Sequence, residues 1–215
     1  MGQLFGSVFV PSALFSTGEY ALIPIIPASA ERLGADLPTA GIIAGLVMVG
    51  TLLADLPAAR LVDALGERRA MMWSALAAMA AIFGAFMAGN IYVLGFAVLL
   101  VGAAAAVFAL ARHAYMAEHV PLSHRARALS LLGGTFRAGA FIGPLLSSAV
   151  IAMFGISTVF AVCMIVWLAA GTSLWFTKDD KVSSAESTPL GYTFQIVKRE
   201  RKKLLTVGVG ATVIG

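Results

Sequence analysis

Long apolar runs broken by short polar segments organise this chain of 215 residues. Six runs are apolar enough to cross a bilayer: 5–26, 39–62, 71–88, 92–115, 128–153 and 158–176. A hydrocarbon core of about 30 Å takes about 20 apolar residues as helix, with a range of roughly 17–25. Each run therefore predicts one transmembrane helix. A seventh run opens at residue 204 and the sequence stops at 215, so it reads as a truncated seventh span.

The breaks differ in kind. Gly89-Asn90-Ile91 and Phe154-Gly155-Ile156-Ser157 are short enough to force neighbouring helices antiparallel. Residues 177–203 are long and polar, with the run Ser183-Ser184-Ala185-Glu186-Ser187, and read as a linker. The end of that linker, 192–203, suits either an interfacial basic helix on anionic lipid or a solvated strand of linker. The expected organisation is a six-helix bundle over 1–176, a cytoplasmic linker over 177–203 and the start of a further span over 204–215. In fold class this is an all-α membrane protein.

Composition agrees. Hydrophobic residues make up 60% of the chain and charged residues 12%, against about 25% charged in soluble domains. One soluble core cannot hide so much apolar surface. The net charge of +4 does not point to nucleic acid, because the basic residues sit in the connections rather than along one stripe. Cys163 is the only cysteine, which excludes an intrachain disulfide framework.

Basic residues also give the threading. Arg60, Arg68 and Arg69 cluster around the connection from the second to the third run. Arg112, Arg125 and Arg127 flank that from the fourth to the fifth, and seven Lys and Arg lie in 177–203. Arg32 alone falls on the other side, and Arg137 lies within a run. The expectation is a multi-pass protein of the plasma (inner) membrane, with its amino terminus and basic connections in the cytoplasm.

Ala59-Arg60-Leu61-Val62-Asp63-Ala64-Leu65-Gly66-Glu67-Arg68-Arg69 resembles the signature loop of the major facilitator superfamily, G-x-x-x-D-[RK]-x-G-x-[RK]-[RK]. Asp63, Gly66, Arg68 and Arg69 fit; Ala59 and Ala64 depart from it. Gly139-Ala140-Phe141-Ile142-Gly143-Pro144-Leu145-Leu146-Ser147-Ser148 resembles the G-x-x-x-G-P-x-x-G-G segment of that superfamily's drug–proton antiporters, with serines for the last two glycines. The R-x-x-Q-G motif of the family's fourth helix is not matched, since Val98 stands at its arginine when Gly102 is aligned. The resemblance implies the amino-terminal six-helix half of a transporter built from two such halves around a central site. It further implies small-molecule transport by alternating access, as in a proton-coupled efflux antiporter, and a missing carboxy-terminal half as partner.

Charges at bilayer depth are costly and mark function by default. Three lie inside the runs: Glu19, Asp55 and Arg137. These form the expected substrate or proton-coupling set. Arg137 lies near the midplane and about 200° around its helix from Gly139, so a central cavity is its expected surrounding, with an anionic substrate group or Glu19 as its counterpart. An ionised carboxylate is disfavoured without water and favoured beside a cation, so alternating contact with Arg137 would couple protonation of Glu19 to conformation. Pro24 and Pro27 predict an unwound outer end of the first helix. Asp55, close to Pro57, also suits support of the cytoplasmic loop. Asp63, Gly66, Arg68, Arg69, Arg112 and Glu118 resemble the family's cytoplasmic gate, with Arg112 expected to pair with Asp63. Gly139, Gly143 and Pro144 form the expected helix-packing motif, and Gly41–Gly45 is a second small-residue pair.

Other classes fit less well. His113, His119 and His124 near Glu118 lack H-E-x-x-H spacing, and no G-x-S-x-G elbow is present. No enzyme, cofactor or metal is expected. The expected partners are membrane lipid, a small-molecule substrate and protons. Arg137 suits an anionic substrate and Glu19 a cationic drug. The competing reading is a non-transporting assembly subunit or an inactive truncated product.

Overall fold

The computed structural model describes residues 8–176, which lie within the first of the two units of the chain, Met1–Asp179. The linker and the seventh span expected from the sequence lie outside the described residues. Among the described residues, seven helices follow in order: α1 (Val10–Leu22), α2 (Ile25–Arg32), α3 (Leu37–Leu65), α4 (Glu67–Phe86), α5 (Ile91–His119), α6 (Leu122–Phe154) and α7 (Ile156–Trp175). No strand occurs among the described residues. Five of the helices, α3 to α7, are each long and apolar enough to cross a membrane.

The first apolar run is divided between α1 and α2. Ile23 and Pro24 keep right-handed helical backbone angles, so the chain continues onward instead of reversing. Proline has no N–H to give to the ladder, and Pro24 and Pro27 together interrupt it. The other boundaries are local. Asp36 accepts a hydrogen bond from the Thr39 N–H at 3.1 Å and caps α3. Asn90 Oδ1 accepts from the Tyr92 and Val93 N–H groups and caps α5. Gly66 and Gly155 have φ of +80° and +87°, a region that glycine enters without strain. Each ends one helix and starts the next within a single residue.

Packing follows an internal symmetry. Helix α3 lies against α5 and α6 against α1, while α4 lies against α5 and α7 against α1. Exchanging α1 with α5, α3 with α6 and α4 with α7 reproduces this set, with the α4–α7 contact mapping onto itself. That is the arrangement of two inverted three-helix repeats. One sequence separation relates Phe15 to Phe108, Glu19 to Arg112 and Gly50 to Gly143 across them.

Lipid supplies no hydrophobic drive between helices, so close contact depends on small residues. Ala70, Ala75, Ala78, Ala81 and Ala85 on α4 are buried, as are Ala97, Ala104 and Ala105 on α5. At the α3–α5 crossing, Gly50 sits over the Leu99 carbonyl and Gly102 over the Val47 carbonyl, where a Cβ has no room. Thr51 Oγ1 crosses the same seam to the Gly102 carbonyl at 3.1 Å. Gly139 and Gly143 lie equally close to Ser16, Thr17 and Ala21 on α1. The seam between α1 and α7 is closed by Trp167, whose Nε1–H donates to the Phe15 carbonyl at 3.0 Å while its indole lies over Gly18.

Candidate functional site

The stacked rings of Phe15 on α1 and Phe108 on α5, 4.0 Å apart at 10°, mark where the two repeats meet. Four residues on from each ring, on the same helix face, stand Glu19 and Arg112. Because α1 and α5 run antiparallel and helical side chains lean toward the amino terminus, the two charged groups converge. They interact electrostatically and share the wall of one cavity of about 220 Å³ with Thr51, Asp55 and Phe136, without a direct ion pair among the described residues. The Arg112 guanidinium carbon lies 4.9 Å from the Phe136 ring centroid, a cation–π contact. Its Nε is buried with no hydrogen-bond partner. A buried donor left unpaired is destabilising.

A second cavity, of about 310 Å³, lies toward the Pro24 end and is lined by Tyr20, Ile23, Ala44, Met48 and again Glu19 and Thr51. Glu19 and Thr51 are thus common to two spaces on opposite sides of one level in the bundle. Asp55 and Arg112 face only the space toward the basic end.

Three of the charges singled out in the sequence are placed as follows. Arg137 is exposed on α6 and lines neither cavity; its neighbour Phe136 does. One residue turns a helix by about 100°, and the contact of Gly139 and Gly143 with α1 sets that rotation. The cation beside Glu19 is Arg112. Arg112 in turn does not reach the loop at Asp63, because it stands about 10 Å inside the end of α5 at His119. The helix repeat is the signal that would have found it, since Arg112 occupies the position of Glu19 one repeat later. Asp55 lies on the cavity wall and away from the loop.

The remaining gate residues form a separate cluster at the basic end. Gly66 makes the turn, and the Arg68 Nε–H and Nη2–H donate to the carbonyls of Leu174 and Trp175 at 2.8 and 2.9 Å. Those carbonyls lie in the last turn of α7. Asp63 and Arg69 are exposed, and Glu118 lies beside Glu67. Arg125 donates to the carbonyls of Ala117 and Val120 and closes the turn between α5 and α6. His113, His119 and His124 bond to near neighbours in sequence, and no group of three His, Cys, Asp or Glu among the described residues is placed to hold a metal.

Paired inverted repeats, membrane-spanning helices and charged cavities at their centre define an integral, multi-pass membrane protein of the transporter type. The chain belongs to the Major Facilitator Superfamily, whose model matches residues 8–214. Among solved structures it is similar to a variant of the peptide transporter POT in complex with sulfate, at 17% identity and a TM-score of 0.76, over 98% of this chain and 44% of that one. The same POT variant in complex with alafosfalin gives 17% identity and a TM-score of 0.75, over 98% and 45%. The POT family transporter PepTSo gives 14% and 0.69, over 80% and 36%. The chain thus spans less than half the length of these transporters. No curated protein sequence matches it.

Proposed function

We propose that this chain is the amino-terminal six-helix half of a proton-coupled efflux permease, moving small molecules by alternating access with a second six-helix half. The observation that carries the reading is the position of Glu19: it lines two cavities at adjacent levels of the bundle, one toward the Pro24 end and one toward the basic end, beside Arg112. A carboxyl so placed can exchange its proton with either cavity, with Arg112 as the neighbouring cation. Arg112 and Asp55 bring opposite charges to the wall of the cavity toward the basic end. The chain's coverage of less than half of its structural neighbours supports the second half. The distribution of Lys and Arg supports a cytoplasmic basic end and amino terminus in the plasma membrane.

The test is transport by the complete gene product in vesicles containing a pH-sensitive dye, with an imposed proton gradient. Probes are the lipophilic cation tetraphenylphosphonium and the dipeptide alanyl-alanine. Glu19→Gln is expected to abolish substrate-induced proton movement while leaving substrate binding measurable. Undiminished proton movement in that variant refutes the assignment of Glu19.

A further inference from the structure

A third cavity lies away from Glu19 and is of a different kind. It is a groove of about 730 Å³ open to the side, with α3 and α4 as walls and α5 as floor. Pro57, Leu61 and Leu65 line it from α3, Trp73 and Ala77 from α4, and Val107 from α5. Its polar side-chain groups are the Trp73 indole N–H and the Ser74 hydroxyl, whose O–H already donates to the Met71 carbonyl at 2.8 Å. Water needs several polar partners to stay in a cavity, and this lining offers only the Ser74 oxygen and the Trp73 indole N–H. Its occupant is therefore apolar.

The dimensions say which apolar occupant. On α3 the groove runs from Ala54 to Leu65, about 16 Å at 1.5 Å per residue, which is half of a hydrocarbon core of about 30 Å. It thus covers one leaflet, and it starts at the basic end of the bundle. Its mouth carries the groups expected at headgroup depth. Trp73 is half-exposed there, as amphipathic indoles are at a membrane boundary. Arg69, exposed, lies one turn before Trp73 on the same stripe of α4, nearer the aqueous side. We infer that this groove holds one acyl chain of an anionic phospholipid from the adjoining leaflet, with Arg69 at its phosphate. The inference stands apart from the transport reading, because it uses neither Glu19 nor either central cavity.

The chain contains three tryptophans, of which Trp167 is fully buried. In a Trp175→Phe background, Trp73 is the remaining one open to a short-range quencher. The full chain, delipidated in detergent, is titrated with phosphatidylglycerol brominated on its acyl chain. Saturable quenching of Trp73 at one lipid per chain is expected, with native mass spectrometry showing one retained lipid. Arg69→Gln is expected to weaken binding about fivefold, the worth of one arginine near an anionic headgroup. Ala77→Leu fills the groove from an exposed position and is expected to abolish saturable quenching while helicity by circular dichroism is unchanged. Quenching that never saturates, or that is identical in Ala77→Leu, overturns the inference. So does a flat titration, which would mean that a protein segment or a second copy covers the groove.

Discussion

Replacing Gly102 by Ala tests whether the α3–α5 seam holds the bundle together by backbone contact. The added methyl would fall on the Val47 carbonyl, a backbone group that has no rotamer to yield. The helices must then part, and overpacking of this sort costs about 1–3 kcal/mol. Parting also stretches the 3.1 Å bond from Thr51 Oγ1 to the Gly102 carbonyl, worth about 0.6 and at most about 1.7 kcal/mol within a membrane. Alanine returns up to about 1 kcal/mol through its helix propensity. The net expectation is destabilisation by about 1–3 kcal/mol. Gly45→Ala on α3 is the matched control, since nothing lies within 4 Å of a Cβ there. It keeps the propensity gain alone and should be neutral or stabilising by up to about 1 kcal/mol. Titrating the purified chain with SDS in mixed micelles, followed by circular dichroism, reads both. Unfolding of the two variants within about 0.5 kcal/mol of each other would refute the reasoning.

Other outcomes follow from the same geometry. Trp167→Phe removes the donor to the Phe15 carbonyl and leaves a void over Gly18, so the SDS titration should show a loss of about 1–3 kcal/mol. Arg68→Lys cannot reach both the Leu174 and Trp175 carbonyls, and hydrogen exchange at the end of α7 should accelerate by about tenfold while α3 exchanges as before. Hydrogen bonds from Thr39 hold the Asp36 carboxyl below the ordinary carboxylate range. The native state then binds fewer protons than the unfolded one, so this contribution is present above about pH 4 and fades as pH falls through the native value. Asp36→Ala should melt earlier than the parent at neutral pH and converge with it in acid; Asp36→Asn should retain the cap and lose the pH dependence.

The lipid environment and the number of apolar runs could be read from the chain alone. Those properties depend on composition or on contacts a few residues apart. Apolar length selects the solvent, Asp36 and Asn90 cap through their own neighbours, and Gly66 and Gly155 turn because they lack a Cβ. Which side of each helix faces which neighbour was not legible in the same way. Gly41–Gly45 has the spacing of a packing motif yet meets open space, whereas Gly50 and Gly102, lying on different helices, meet backbone. Arg137 is exposed in this bundle, and Arg112 stands by Glu19. The rotation of a helix about its axis is decided by the partners that press on it, and an error of one residue moves a side chain by about 100°. Only the assembled bundle supplies those partners, so the cavity bordered by Glu19, Asp55 and Arg112 became visible with the fold and not before it.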